Sequence, residues 1–186
     1  MKICGWKLMG AVALAWGTAF AGETQLLNGE WTLDYWPQPA KGAVRDPAAI
    51  PKHGTLMATV PGNCELELVK AGILPNPEVG LGQRAFRPYE GYQWLYTKTF
   101  AAPTVAKGER AMLRFEGIDT LADIFLNGVK VGETANMLIA HEFNVTKALK
   151  PGENVVQVLI RSVRCAAQDV TLGELGYSMG GGADGE

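Results

Sequence analysis

Histidine, serine, cysteine and runs of basic residues are scarce in this 186-residue chain, and these scarcities close off classes of function. The two histidines, His53 and His141, each lack a second His or Cys at metal-ligand spacing, so no zinc site is expected and no cofactor is called for. No cluster of Lys and Arg stands out against a net charge of -2, which removes the electrostatic attraction that supplies most affinity for a phosphate backbone. Nucleic acid is therefore not an expected partner. Ser162 and Ser178 have no histidine nearby and no nucleophile-elbow sequence around them, so a Ser-His-Asp hydrolase is not supported. Helical periodicity is scarce as well, and no internal repeat is visible.

Glycine and proline are plentiful instead. The 23 glycines and 10 prolines call for many turns, as an all-β protein of short strands requires. With 47% hydrophobic and 19% charged residues of mixed sign, the composition is that of a globular chain, and the length suits one core. The first residues have the layout of a signal peptide: Lys2 and Lys7, an apolar run from Leu8 to Trp16, then the small-x-small site Ala19-Phe20-Ala21 before Gly22. Cleavage after Ala21 implies a periplasmic or extracellular protein. The competing readings are a buried N-terminal helix and a membrane anchor, and the run is short for a span. Residues 1–21 are accordingly set apart as a leader, 22–172 form the domain, and 173–186 make a Gly-rich tail (Gly180-Gly181-Gly182) that reads as the start of a missing continuation. Cleavage removes Cys4 and leaves Cys64 and Cys165, for which a disulfide is permitted and two separate buried thiols are equally compatible.

Trp31-Thr32-Leu33-Asp34-Tyr35 alternates, placing Trp31, Leu33 and Tyr35 on one face of a first strand. From Pro37 to Pro61 five prolines and no period predict a long loop, with Thr55 to Val60 as a short strand at its end. Asn63 caps a short helix near 63–71, with Leu66 and Val69 on its buried side and Gly72 ending it. Residues 75–91 hold three prolines and three glycines and read as a second irregular surface segment. Beyond it the alternation is strong. Tyr92, Trp94, Tyr96 and Phe100 share one face; Ala111, Leu113 and Phe115 share another. Leu121–Leu126 and Val129–Val131 flank Asn127-Gly128, the pair suited to a type I′ hairpin turn. Phe143 and Val145 mark a short strand, and Val156, Val158 and Ile160 face one way while Val155 and Leu159 face the other, so both faces of that last strand are covered. The pattern predicts a sandwich of two antiparallel sheets.

Several stretches, in order, resemble the N-terminal sugar-binding domain of glycoside hydrolase family two, the β-galactosidases, β-mannosidases and β-glucuronidases. They are Leu27-Asn28-Gly29-Glu30-Trp31, Val60-Pro61-Gly62-Asn63, Glu90-Gly91-Tyr92-Gln93-Trp94, Leu113 to Thr120, Ala122 to Gly128 and Leu149 to Asn154. The resemblance implies a galactose-binding-like jelly roll placed ahead of an immunoglobulin-like domain and a TIM barrel, acting on a β-linked glycoside. In that family the barrel holds two glutamates, the acid/base one following an Asn. No Asn-Glu dipeptide occurs here, and the chain is too short for a barrel beside the sandwich, so no catalytic residue is expected.

The segment Val79 to Tyr89 stands where the resemblance sends a loop toward the active site. Leu81 and Gly82 occupy places where Asn is usual, leaving Gln83, Arg84 and Arg87 as hydrogen-bonding groups; the plainer reading, which the residues favour, is a solvated loop with Arg87 held by a local carboxylate. Trp94 beside Tyr92 has the chemistry of a sugar-stacking platform, yet its place on an alternating strand says packing for Trp94 and Tyr96. Trp36 and Tyr89, read as loop residues, are expected to be exposed. Asp119 and Asp123 cap or pair locally. The sugar-contacting candidates are thus Gln83, Arg84, Arg87, Tyr89 and Trp94, and the function expected is a non-catalytic accessory domain of an exported glycosidase. A free-standing carbohydrate-binding protein and a cell-surface protein-interaction domain are the other readings.

Overall fold

Residues that alternate apolar with polar bury a core only when two sheets face each other, and the computed structural model has that arrangement. It describes residues 2–11, 24–39, 42–50, 54–106 and 108–169, the first of these segments by its backbone. The strands are β1 (Lys2–Ala11), β2 (Thr24–Leu26), β3 (Gly29–Pro37), β4 (Thr55–Val60), β5 (Gly62–Asn63), β6 (Tyr92–Ala101), β7 (Arg110–Ile118), β8 (Ala122–Leu126), β9 (Val129–Thr134), β10 (His141–Asn144) and β11 (Glu153–Ile160). Two short helices accompany them, α1 (Cys64–Lys70) and α2 (Val163–Asp169). One sheet runs β4-β3-β6-β11-β8-β9; the other runs β10-β7-β1-β2, with β5 also on β1. Every described pairing is antiparallel. Residues 2–11, set apart above as a leader, are thus strand β1 here; the tail 173–186 lies outside the described residues.

The core between the sheets is the one the alternation marks. Trp31 and Leu33 of β3, Trp94, Tyr96 and Phe100 of β6, Ile124 and Leu126 of β8, and Val156, Val158 and Ile160 of β11 meet Ala111, Leu113, Phe115 and Ile118 of β7. The β8–β9 hairpin turns at Asn127 (φ 53°) and Gly128 (φ 79°), the left-handed pair that a two-residue turn with right-handed strand twist requires. The Asn127 side chain adds more: its Nδ2 donates to Asn154 Oδ1 (2.7 Å) and its Oδ1 accepts from the Val155 N–H (3.0 Å), locking the turn to β11.

The six-stranded sheet is buried on its outer face too, and this corrects the expectation for Trp36. β3 continues past Tyr35 to Pro37, pairing Trp36 with Gln93, so Trp36 is a strand residue and 1% exposed rather than a loop residue in solvent. It packs with Leu95, Phe125 and Leu159, under Ile50. The cover is the segment between β3 and β4, which sequence composition showed only as a loop. Gln93 holds it as a backbone strand would: its Oε1 accepts from the Val44 N–H (2.8 Å) and its Nε2 donates to the Val44 carbonyl (2.9 Å).

A second tie is ionic. Asp123, on the outer face of β8 and fully buried, accepts from Arg45 Nε (2.9 Å) and Nη2 (2.5 Å), with Lys130 Nζ at 2.7 Å and Arg161 Nε at 3.3 Å. The expected local pairing is present with Lys130 across the β8–β9 hairpin, and Arg45 adds one across 78 residues of sequence. Burial raises the Asp123 pKa, but the hydrogen bonds from Arg45 and Lys130 and the charge of Arg161 outweigh it, and the carboxyl stays below its ordinary value. A depressed carboxyl pKa stabilises the fold above the unfolded-state value of about 4, and that contribution is lost as the pH falls through the native value. Asp123→Ala should cost about 2–3 kcal/mol in urea unfolding at pH 7, since Arg45 and Lys130 can return to water while Arg161 loses its partner. Asp123→Asn should flatten the acid limb of the stability–pH curve, and an unchanged limb would show that the carboxylate is not what titrates.

Candidate functional site

At one end of the sandwich the chain enters β6 through a ten-residue 3₁₀ run, Gly82–Gly91. Three residues per turn put Gln83, Phe86 and Tyr89 on one side and Arg84, Arg87 and Glu90 on the next. Ala85, Phe86 and Tyr89 pack against the core, which is why the run holds despite its glycines and Pro88. Its lower end is pinned. Ser162 Oγ donates to the Glu90 carbonyl (2.6 Å), the Gln38 N–H donates to the Gly91 carbonyl (2.8 Å), and Arg164 pairs with Glu90 (3.2 Å). Ser162 Oγ also accepts from the Cys165 N–H (3.0 Å) and so caps α2, a helix absent from the sequence reading.

Helix α1 forms the opposite wall. Asn63 caps it as expected, its Oδ1 accepting from the Glu65 and Leu66 N–H groups (2.8 and 3.2 Å). Its buried face differs from the expected one, however. Cys64, Glu67 and Leu68 point inward, and Leu66 is 48% exposed. The reason is Glu67, whose Oε1 accepts from the Thr59 N–H (3.3 Å) and from Lys70 Nζ (2.8 Å); a satisfied carboxylate takes the inward position and turns Leu66 out. Between helix and 3₁₀ run lies an open cavity of about 310 Å³, lined by Asn63, Glu65, Leu66, Pro77, Gln83 and Phe86.

Beside it Tyr35, Tyr89, Tyr92 and Trp94 form an aromatic quartet. Tyr35 stacks on Trp94 (5.5 Å between ring centroids), and Tyr89 lies 4.8 Å from Tyr92. Trp94 is the buried floor at 4% exposure, and the three tyrosines are half-buried above it. The phenol of Tyr35 is pushed above its ordinary pKa by burial and by the neighbouring Tyr89 and Tyr92. Gly54 allows the close packing: a Cβ there would sit 2.8 Å from the Tyr35 ring.

Of the five residues singled out in the sequence, Gln83 lines the cavity, Tyr89 and Trp94 share the quartet, and Arg84 and Arg87 stand on the adjacent, exposed side of the run. Trp94 and Tyr96 are packing residues, as their alternation said. Tyr89 is half-buried rather than exposed, because its 3₁₀ turn lays the ring on Tyr92. Arg87 is not held by a carboxylate among the described residues; the nearby Glu90 pairs with Arg164 instead. Phe86 and Tyr35 were missed as site residues, and a period of three from Gln83 was the signal available for Phe86. Cys64 and Cys165 are free thiols, and burial pushes the Cys64 thiol well up. His141 lies with Nε2 2.7 Å from the Asn136 carbonyl, and His53 falls outside the described residues.

Comparison with known proteins matches residues 40–175 to the glycosyl hydrolase 2 galactose-binding domain-like family. The chain belongs to that family. The β-mannosidase B of Thermothelomyces thermophilus is 36% identical over 102 residues, which are 55% of this chain and 12% of that enzyme. The mouse β-mannosidase is 27% identical over 135 residues, 72% of this chain and 14% of its own length. Among solved structures, the β-D-mannosidase of Dictyoglomus thermophilum superposes with a TM-score of 0.63 at 34% identity, covering 77% of this chain and 16% of that one. The chain therefore spans about an eighth of the curated relative first named.

In chemical terms the site offers hydrogen-bond groups and ring faces, with Glu65 the one carboxylate among the described residues that line its cavity. Packing and surface roles should separate in unfolding experiments. Trp94→Ala is expected to cost about 3–5 kcal/mol, whereas Gln83→Ala, Arg84→Ala and Arg87→Ala should each stay within about 0.5 kcal/mol of the parent chain. A large loss at Arg84 or Arg87 would make those side chains structural and remove them from the site.

Proposed function

We propose that this chain is the non-catalytic sugar-binding module of an exported glycoside hydrolase of the β-mannosidase type. The observation that carries the proposal is the extent of the likeness: identities of 34–36% to β-mannosidases are confined to 12–16% of those enzymes. In this reading the sandwich buttresses an immunoglobulin-like domain and a TIM barrel that perform the hydrolysis. The 3₁₀ run borders the substrate pocket. Gln83, Arg84 and Arg87 donate hydrogen bonds to sugar hydroxyls of a β-linked mannoside, while Tyr89 and Phe86 present ring surface to its apolar face. The leader-like start from Lys2 to Ala21 supports export to the periplasm or beyond. The cavity, lined by the polar Asn63, Glu65 and Gln83 and by Phe86, also favours a second reading, a free-standing carbohydrate-binding protein.

Two measurements on the purified chain distinguish these. No 4-nitrophenol is expected from 4-nitrophenyl β-mannoside, and turnover that copurifies with the chain would overturn the non-catalytic assignment. Titration with mannobiose should give a Kd of about 1 mM or weaker, the affinity of a surface that contributes only part of a pocket. Micromolar binding, lost in Gln83→Ala, would favour the free-standing protein instead.

A further inference from the structure

Of the asparagines in the chain, Asn144 alone has a Ser or Thr two residues on, with Val145 rather than proline between them. Asn-x-Thr is the acceptor sequence for N-linked glycans in exported chains. Such a triplet also arises by chance, and what distinguishes this one is how the fold treats its atoms. Asn144 ends β10, the last strand of the second sheet, and its side chain is exposed. Its Oδ1 accepts from the Thr146 N–H (3.1 Å) and from Thr146 Oγ (2.7 Å), and that hydroxyl accepts in turn from the Ala111 N–H (2.9 Å). The carbonyl oxygen thus holds the turn after β10, while Nδ2 has no partner among the described residues. Glycosylation makes the same division. It takes one hydrogen from Nδ2 and leaves Oδ1 an acceptor, so every described hydrogen bond of the Asn144 side chain survives it.

The position suits a bulky polar group as well. The chain passes from Ala101 at the end of β6 to Arg110 at the start of β7, and Asn144 stands opposite Met112. The 3₁₀ run enters β6 at its other end, Tyr92, about 30 Å along the strand. A glycan on Asn144 therefore leaves the sandwich at the end away from the cavity. It also opposes pairing of an end strand with another chain. Resting on the reading that the chain is exported, we infer that Asn144 is an N-glycosylation site whose co-substrate is an oligosaccharide carried on a polyprenyl diphosphate. Nδ2 attacks C1 of the first sugar. The C1–O bond to the diphosphate breaks, its electron pair leaves with the lipid diphosphate, and one Nδ2 hydrogen departs as a proton to water.

The test secretes the full chain from yeast twice, behind its own first residues and behind an established yeast leader. The secreted chain should migrate as a heavier glycoform that peptide N-glycosidase collapses to one band, with aspartate at position 144 in the peptide mass spectrum. Asn144→Asp keeps an oxygen acceptor for Thr146 but has no Nδ2, and it should secrete normally at the collapsed size. Thr146→Ser should keep the glycan, because the hydroxyl is retained. A chain secreted behind the yeast leader without a glycan at 144, or a glycan that persists in Asn144→Asp, would overturn the site. The export reading fails separately: a chain glycosylated behind the yeast leader but held inside the cell behind its own first residues would end that reading and leave the acceptor standing.

Discussion

β6 and β11 pair from Trp94↔Ile160 to Ala101↔Glu153, and the outer face of this pair is covered as fully as the inner one at Leu95 and Leu159. Inward, Trp94, Tyr96, Val156, Val158 and Ile160 meet the second sheet; outward, Leu95 and Leu159 meet Trp36 and Phe125 beneath the β3–β4 segment. A sheet of mixed polarity does not hold a covering loop by hydrophobic contact alone, and here two polar anchors do it, the Gln93 side chain and the Asp123 carboxylate. Because both are fully buried, each is worth its position only while its partners stay in place. The cover, the sheet and the core are for that reason one cooperative unit.

That unit sets the geometry of the end of the sandwich that carries the cavity. The 3₁₀ run passes directly into β6, so the direction of Tyr89 and Phe86 is fixed by the strand that follows and by the hydrogen bonds of Gln38 and Ser162 at its base. The run's own backbone bonds span three residues and are geometrically poorer than those of an α-helix. Its order therefore comes from the packing of Ala85, Phe86 and Tyr89, which leaves Gln83, Arg84 and Arg87 free of structural duty.

What the sequence showed and what it hid divide along one line, whether burial follows from neighbours in sequence or from a distant segment. The alternation of Tyr92 to Phe100, Ala111 to Phe115 and Val156 to Ile160 is local, and each strand appeared where its period placed it. The Asn127-Gly128 turn is local in the same sense. Trp36 was misread because its cover comes from residues in the proline-rich stretch after it, which has no period to announce a packing role. Leu66 was misread because the helix phase was decided by the satisfaction of Glu67 from β4 and Lys70, a tertiary fact. Arg87 was expected on a local carboxylate, but the nearby Glu90 pairs with Arg164 from α2, 74 residues away.

The candidate site shows the same division, and it bears on what the domain is for. Trp94 has the chemistry of a stacking platform, but a strand residue that floors a quartet is committed to packing, and the exposed surface is left to side chains displayed around it. Those side chains come from one short run and one helix end, the two walls of a cavity that opens to solvent. A lone sugar held on such a surface keeps most of its hydroxyls in water, so the enthalpy of each contact is largely an exchange for water and the net affinity is small. The same groups gain strength when a second surface closes the cavity and excludes that water, since a hydrogen bond to a hydroxyl counts for more in a desolvated pocket. A site open to solvent in this way is physically suited to completing another domain's pocket.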